Sequence, residues 1–232
     1  MESLTPAARR GLADEVTDRL RAAILDGALQ PGERAGEAEL SRMLSVSRGP
    51  VREALVRLEQ EGLVVSQWHR GATVVELTKS DVSKLASLRL VLEQLAIAEA
   101  CQEATQEDFD KLHGVVDQMR AARLSGATDS LVRLDVEFHD AICRAARHPR
   151  LYAAWTTIRS QVSLSLARRR AVANDYVGLV VPEHDELVKV LEGGDADRAR
   201  ELIATHLEGA YSRLLASFDR DLALPPQRRR LG

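Results

Sequence analysis

The chain has 232 residues, which is enough for two domains of ordinary size. Hydrophobic residues make up 45% of the chain and aromatic residues only 3%, so any core must be built mainly from Leu, Val and Ala, which favours packed helices over sheets. The formal net charge of −3 gives no general indication of nucleic-acid binding, and no apolar run is long enough to cross a membrane.

The N-terminus and the cysteines both indicate a cytoplasmic protein. Residues 1–11 are polar and lack the apolar segment of a secretory signal. Cys101 and Cys143 lie inside helical patterns, and buried thiols in a reducing compartment explain them better than a disulfide does. We therefore expect a cytoplasmic location and two free thiols.

Two short helices joined by a tight turn are predicted between residues 37 and 63, after an upstream helix. Each has one apolar stripe at helical spacing. The stripes are Val16, Leu20 and Ile24 in the upstream helix, Leu40 and Leu44 in the next, and Val51, Leu55 and Leu58 in the last. Ser47 can cap the last helix, and Pro50 falls in its first turn, where a missing N–H costs little.

Two arginines, Arg48 and Arg52, occupy the start of this last helix. Because helix N-terminal amides favour anions, these guanidiniums predict a surface that reads phosphates and bases. The basic character is local: residues 42–70 hold five Arg against three Glu, whereas residues 1–78 hold ten Arg against twelve Asp and Glu. The pattern is typical of a helix-turn-helix that enters a DNA major groove, although a packed helical hairpin with solvated arginines explains it equally well.

Two β-prone runs follow, at residues 63–65 and 72–75. They surround a turn that contains Arg70 and Gly71, and this arrangement predicts a β-hairpin. A hairpin after three helices, with a basic tip, is typical of a winged helix-turn-helix.

From Asp81 to about Phe218 the pattern is helical throughout and predicts six helices. Thr78 or Ser80 is expected to cap the first of these helices, Thr105 with Asp108 the second, and Asp195 the sixth. The third is expected to run from about Asp129 to Arg147. Pro149 should open the fourth, and Pro182 the fifth after a loop at Asn174 and Gly178. The predicted fold class is therefore mainly α. It comprises an N-terminal winged helix-turn-helix over residues 1–78, a C-terminal all-α antiparallel helical bundle over residues 79–220, and a tail over residues 221–232. The tail ends in three arginines, and a solvated end explains them better than DNA contact does.

Metal-ligand residue types occur on three of the predicted bundle helices. Asp135 and His139 are four residues apart and so share one helix face, while His184 and His206 lie on two later helices. Three imidazoles and one carboxylate suit Zn, Ni, Co or Mn(II). Taken singly, each histidine is more often an ordinary core or surface residue, so the set predicts one divalent transition metal per chain only as a group.

The N-terminal motif PGER…EL…VSRGPVREAL…RGATV resembles the DNA-binding domain of GntR-type bacterial repressors over residues 12–76. The resemblance implies DNA contacts from the recognition helix and from the wing. The residues that match are Arg48, Gly49, Pro50 and Arg52 on the helix and Arg70 and Gly71 at the wing tip. Ala38 stands where some relatives carry an arginine, so a contact from that position is not expected.

The C-terminal motifs resemble the ligand-binding FCD domain of the FadR branch of that family over residues 81–218. They are LRLVLEQLAIAEA, Asp135 with Phe138-His139, Glu-His at 183–184, and GDADRAR…His at 194–206. The resemblance implies a metal held by Asp135, His139, His184 and His206, with a small carboxylate effector beside it. It also places Arg89 facing the effector, whereas surface pairing with Glu93 explains that arginine equally well. His148 departs from the resemblance, because many relatives have Asn there.

The expected function is therefore that of a DNA-binding transcriptional regulator, in particular a repressor, and not of an enzyme. As a homodimer it would bind a palindromic double-stranded operator and be released or modulated by a small organic acid. Two alternatives remain at this point. In one the metal itself is the signal, and in the other the chain is a metal-dependent hydrolase, for which the sequence offers no nucleophile motif.

Overall fold

The computed structural model describes residues 11–67, 71–127, 130–172 and 175–223. The chain divides after Glu76 into two compact units. Helices dominate the described residues, and only three short strands accompany them, all in the first unit. The predicted mainly-α fold class, with a winged helix-turn-helix followed by a helical bundle, is confirmed.

The first unit contains three helices and a small antiparallel sheet. Its elements are α1 (Leu12–Leu25), β1 (Arg34–Ala35), α2 (Glu37–Leu44), α3 (Arg48–Gln60), β2 (Val64–Gln67) and β3 (Gly71–Val74). The strands lie in the order β1-β3-β2, so β2 and β3 form the predicted hairpin. Strand β1 was not predicted, because two residues are too few to show an alternating pattern; it exists only by pairing with β3.

The apolar stripes meet as predicted and form the core of this unit. Val16, Leu20 and Ile24 of α1 and Val51 and Leu58 of α3 are all buried, and the two helices pack together. This packing fixes the orientation of α3. Ser47 does occupy the N-cap position of α3, but its hydroxyl makes no capping hydrogen bond, so that part of the expectation is wrong.

The second unit is a bundle of six helices. They are α4 (Lys79–Glu103), α5 (Gln106–Ser125), α6 (Ser130–Ala145), α7 (Pro149–Val172), α8 (Tyr176–Glu192) and α9 (Ala196–Ala223). Thr78 and Thr105 each form a capping box, with Asp81 and Asp108 respectively. Asp195 accepts the Arg198 amide at 2.9 Å, as expected of a capping residue.

Two predicted boundaries in the bundle are wrong. Helix α8 begins at Tyr176, so Pro182 and Gly178 lie inside it, while Asn174 lies outside the described residues. Burial of Tyr176 and Val180 offsets the hydrogen bond that the proline cannot donate. Helix α6 ends at Ala145, before Arg147, whose φ of 50° is left-handed; the predicted start at Asp129 lies outside the described residues.

The bundle core is apolar around its edges and polar at one place inside. Helix α4 packs against α6, α7 and α9, while α5 packs against α6 and α8. The apolar core includes Trp155, Phe138, Leu112, Met119 and Ile97, all with no exposed surface. Where α4, α6, α8 and α9 converge, however, charged and imidazole side chains are buried instead. No described helix is long and apolar enough to cross a bilayer.

Candidate metal centre and DNA-binding surface

The structure brings the four predicted metal ligands together inside the bundle. His139 Nε2 lies 3.3 Å from Asp135 Oδ1 and 3.3 Å from His206 Nε2, and His184 Nε2 lies 3.7 Å from Asp135 Oδ1. One ring nitrogen from each of the three histidines falls within a mutual distance of 4.8 Å. All four side chains are buried. The donor atoms therefore surround one small volume.

The second ring nitrogen of each histidine lies close to an oxygen atom. An acceptor at Nδ1 keeps the proton on Nδ1 and leaves the Nε2 lone pair free, which is the usual way in which proteins prepare a histidine for a metal. Nδ1 of His184 is hydrogen-bonded to the Val180 carbonyl oxygen at 2.5 Å and Nδ1 of His206 to Glu183 Oε2 at 2.9 Å, whereas Nδ1 of His139 lies 2.5 Å from Glu93 Oε2 without the geometry of a hydrogen bond. The Nε2 atoms of His139 and His184 face Asp135 Oδ1, and Nε2 of His206 faces Nε2 of His139.

Two of the converging atoms have no hydrogen-bond partner. Asp135 Oδ1 and His184 Nε2 are buried and unsatisfied, and an unsatisfied buried polar atom costs about 1–3 kcal/mol. A divalent cation satisfies both, so these residues fit a metal. Burial lowers the pKa of His206 to about 4, which keeps that ring neutral and able to bind a cation. Although burial opposes it, the two neighbouring imidazoles of His139 and His184 hold the pKa of Asp135 well below its usual range.

Arg89 lies inside the bundle and not on its surface. Its side chain is 1% exposed and forms an ion pair with Glu93, which is equally buried. The guanidinium also lies over the Tyr211 ring at 5.8 Å, and its Nη2 has no partner. Arg89 therefore does pair with Glu93 at i,i+4 spacing, as one of the two interpretations predicted. The pair is buried beside the candidate metal centre, because Glu93 also contacts His139.

Sequence reasoning missed several residues around this centre. Tyr176 donates its hydroxyl to Asp135 Oδ2 at 3.0 Å, and the Arg169 guanidinium lies 4.9 Å from the centre of the Tyr176 ring. Glu93 and Glu183 could have been predicted from the sequence, because Glu93 lies one helical turn from Arg89 and Glu183 is adjacent to His184. Tyr176 and Arg169 could not, because only the packing of α7 and α8 on α6 brings them close to Asp135.

The predicted DNA-contacting residues of the recognition helix lie at the start of α3. Arg48 is its first residue, and Gly49 and Pro50 complete its first turn. Arg52 is exposed and donates two hydrogen bonds to Glu37 on α2, from Nε at 3.1 Å and from Nη2 at 2.9 Å. This bidentate contact holds one edge of the guanidinium and leaves Nη1 directed elsewhere.

The two glycines of the predicted DNA-binding set, Gly49 and Gly71, differ in backbone conformation and in the space available for a Cβ. Gly71 opens β3 with a φ of +76°, which strongly favours glycine, and a Cβ there would lie 3.8 Å from the Ala35 carbonyl oxygen. Gly49 is helical, and a Cβ there would meet no atom within 4 Å apart from its own chain neighbours. One of those neighbours is Pro50, whose ring disfavours a helical conformation for a preceding residue with a Cβ, so the local backbone gives a reason for glycine at position 49. Arg70, the predicted wing-tip contact, lies outside the described residues.

The chain matches two family models that together cover most of its length. Residues 12–75 match the gntR family of bacterial regulatory proteins, and residues 84–209 match the FCD domain. The chain belongs to the GntR family and carries an FCD domain. It is a DNA-binding transcriptional regulator and not an enzyme, so the hydrolase alternative is wrong.

Curated relatives agree with this assignment. The chain is 33% identical over 126 residues to the uncharacterized HTH-type transcriptional regulator YdhC of Bacillus subtilis, covering 54% of this chain and 56% of that protein. It is 29% identical to the Nta operon transcriptional regulator of Aminobacter aminovorans, covering 80% of this chain and 86% of that protein. It is 26% identical to the gluconate operon transcriptional repressor of Bacillus licheniformis, covering 78% and 76%.

Solved structures share the fold. E. coli McbR/YncC superposes with a TM-score of 0.79 at 22% identity, over 90% of this chain and 100% of that chain. A putative transcriptional regulator GntR from Rhodococcus sp. RHA1 superposes with a TM-score of 0.76 at 24% identity, over 88% and 97%. At these identities the likeness concerns the fold alone.

An open pocket of about 530 Å³ lies at the surface of this regulator, away from the four ligands. Its main cations are already paired, Arg144 with Asp140 and Arg147 with Asp108. His148 lies at its edge and accepts the Leu151 amide at 3.2 Å through Nδ1. The imidazole thus caps α7 as an Asn side chain does, so the departure at this position leaves the turn intact.

Proposed function

We propose that this GntR-family regulator is a homodimeric repressor whose hold on a palindromic operator is controlled by a small carboxylic acid. The acid would bind at a divalent metal in the FCD bundle. The single observation that carries this proposal is the buried cluster of Asp135, His139, His184 and His206, in which one ring nitrogen of each histidine lies within 4.8 Å of the others and two of the Nε2 atoms lie 3.3 and 3.7 Å from Asp135 Oδ1. A purely structural core has no need of four such buried donors.

The DNA side of the proposal rests on the first turn of α3. In a winged helix-turn-helix the recognition helix enters the major groove with its N-terminal residues against the bases. Arg48, Gly49, Pro50 and Arg52 are then the contacts of this helix, and Arg70 with Gly71 are the contacts of the wing in the adjacent minor groove. A two-fold dimer presents two such helices, so the operator should be a palindrome of double-stranded DNA.

Asp135, His139, His184 and His206 would hold one Zn, Ni, Co or Mn(II) ion per chain. On a tetrahedral zinc the four ligands close the coordination shell. On an octahedral ion they leave two positions for a carboxylate, and this arrangement gives the effector a direct contact. A bound divalent cation would supply the positive charge that attracts the acid, and Arg89 lies close enough to add to it.

Effector control follows if the acid binds more tightly to one arrangement of the dimer than to another, and a coupling of about 1–3 kcal/mol is ordinary for such systems. The test is metal analysis combined with operator titration in the presence and absence of small organic acids. We expect His184→Ala and His206→Ala to lose both the metal and the response to acids, while operator binding by the apo protein persists.

A surface variant such as His113→Ala is the matched control, since His113 is half exposed and pairs only with Glu192 among the described residues. It should keep metal content and response. A metal-free His206→Ala protein that still responds fully to acids would contradict the proposal. Operator affinity that changes with metal alone and never with an acid would instead favour the metal-sensing alternative.

A further inference from the structure

Arg169 on α7 lies beside the proposed metal centre but belongs to none of its predicted ligands. Its side chain is buried, at 3% exposure. The guanidinium stacks on the Tyr176 ring at 4.9 Å, and the Tyr176 hydroxyl donates to Asp135 Oδ2 at 3.0 Å. Arg169 and the predicted ligand Asp135 therefore both contact the same tyrosine.

Although the Arg169 side chain is buried, one edge of its guanidinium has no hydrogen-bond acceptor among the described residues. Nε and Nη2 are both buried and have no hydrogen-bond partner. These two nitrogens form the side-on edge that grips one carboxylate through two parallel hydrogen bonds. Burial lowers the pKa of Arg169, but a guanidinium remains charged at neutral pH, so the free edge is a pair of charged donors without an acceptor.

The charges around this edge indicate how many negative charges a ligand should bring. The fully buried charged groups are the arginines Arg89 and Arg169 and the carboxylates Glu93 and Asp135. This buried set contains equal numbers of positive and negative charges, and the two further charged groups that act on Arg169, Glu183 and Arg213, have opposite signs. A bound divalent ion would therefore leave two positive charges in the centre, and a ligand with two acidic groups would balance them.

Arg169 is better placed than Arg89 to receive a second acidic group. Nε of Arg89 already donates a hydrogen bond to Glu93, so only its Nη2 is buried without a partner. Arg169 keeps a complete bidentate edge. Unpaired buried charge is strongly destabilising, and a ligand that supplies the missing anion explains why the side chain is there.

We propose that the effector is a small dicarboxylate, with one carboxylate at the metal and the other gripped by Nε and Nη2 of Arg169. This inference rests on the proposed function, because the first carboxylate needs the metal centre. It adds a class of ligand and a residue that selects it. Acids with a single carboxylate would leave Arg169 unpaired and should bind less tightly.

The test is calorimetric titration of the full-length protein, loaded with whichever divalent metal elemental analysis finds in it. Succinate and glutarate are compared with butyrate and pentanoate of equal chain length, and inorganic phosphate is a separate arm. The variants are Arg169→Met, which removes the charge at similar volume, Arg169→Lys, which keeps it, and Arg200→Met as a surface control. Metal content is measured for every protein.

We expect the wild-type protein to prefer the better-fitting diacid over its monoacid by about tenfold to a hundredfold, the range for a hydrogen bond to a charged group. Arg169→Met should abolish this preference while leaving metal content and monoacid affinity unchanged. Arg169→Lys should keep part of it, and Arg200→Met all of it. Without any acid, Arg169→Met should melt at the same or a higher temperature than wild type, since it removes an unpaired buried charge.

Equal affinity for diacids and monoacids in the wild type would overturn the assignment, and so would a diacid preference that survives in Arg169→Met. If binding of both kinds of acid still requires the metal, the proposed function stands and only this inference fails. Loss of metal binding by the wild type would instead refute the proposed function. Binding of phosphate through Arg169, without binding of either diacid, would also overturn the dicarboxylate.

Discussion

At the scale of single residues, Gly49 links stability to DNA binding. It lies exposed in the first turn of α3, and a Cβ there would meet no protein atom within 4 Å apart from its own chain neighbours. Replacing a helical glycine by alanine usually stabilises a fold by about 0.4–1 kcal/mol, but Gly49 precedes Pro50, whose ring crowds a Cβ at this position, so Gly49→Ala should stabilise the winged unit by less than that. If the DNA backbone approaches this position closely, the same change should weaken operator binding. Chemical unfolding and operator titration measure the two effects.

Gly114 on α5 offers a matched control for that experiment. It too is helical, and a Cβ at this position would meet no atom within 4 Å, but the residue lies in the bundle. No proline follows Gly114, so Gly114→Ala should give the full gain in stability of about 0.4–1 kcal/mol with unchanged operator affinity. If Gly49→Ala binds the operator as tightly as wild type, the DNA backbone does not approach this residue.

A second prediction at this scale concerns how Arg52 is held. Its two hydrogen bonds to Glu37 fix the guanidinium before DNA arrives, so less side-chain freedom is lost on binding. Arg52→Ala should cost about 1–3 kcal/mol of operator affinity and relax specificity at one base pair. Glu37→Ala should cost less affinity but relax specificity at the same base pair, because it acts only through Arg52.

Titration against the operator and single-base variants of it, at fixed salt, measures both. Arg19→Ala is the control, since Arg19 is an exposed arginine of α1 paired with Glu15. Specificity that changes at different base pairs in the Arg52 and Glu37 variants would argue against the positioning role.

At the scale of elements, α4 presents an apolar face that no described part of the chain covers. Leu88, Val91 and Leu95 are 47%, 64% and 41% exposed and follow one another at helical spacing. The opposite side of α4 carries Arg89 and Glu93 into the metal centre. We expect the second copy of the chain to pack on this stripe, which would join the dimer contact to the helix that lines the proposed effector site.

We expect Val91→Glu to convert the dimer to a monomer and to weaken operator binding, since a monomer presents only one recognition helix. Sedimentation or light scattering measures the first effect. Leu124→Glu is the control, because Leu124 on α5 is even more exposed at 80% but lies on a different helix. If both variants remain dimeric, the copies meet through another surface.

At the scale of the whole molecule, the division after Glu76 separates the winged helix-turn-helix from the bundle that carries the proposed metal site. A ligand that binds only the folded form stabilises it by mass action, by about 2.7 kcal/mol at a free concentration 100 times its Kd. Added metal should therefore raise the unfolding temperature of the bundle and leave that of the winged unit unchanged. Calorimetry of the full chain with metal and after chelation measures this.

Asp135→Asn should remove most of that stabilisation, because the amide is a weaker ligand for the cation than the carboxylate. The predicted boundary of the two domains, at residues 78 and 79, gains support if two transitions are seen and only one responds. A metal-induced shift of the same size in Asp135→Asn would show that the cation binds elsewhere.

The sequence by itself determined the fold class and predicted helix α3 and the buried cluster of Asp135, His139, His184 and His206. Their signals are local or repeat along a helix: the stripe of Val51, Leu55 and Leu58, the capping pairs at Thr78 and Thr105, and the i,i+4 spacing of Asp135 and His139. The prediction that Pro182 starts the fifth bundle helix was wrong. Proline prefers the first turn of a helix, but burial of residues before it extends α8 back to Tyr176.

Only the tertiary structure decided the surroundings of the metal centre. Glu93 contacts His139, Tyr176 contacts Asp135 and Arg169 contacts Tyr176, and all three contacts depend on packing between helices distant in sequence. The same is true of the Glu37–Arg52 contact between α2 and α3. A periodic pattern shows which face of a helix is buried, but whether an arginine on that face finds a partner depends on the neighbouring helices, and this is why the free edge of Arg169 could not be read from the sequence.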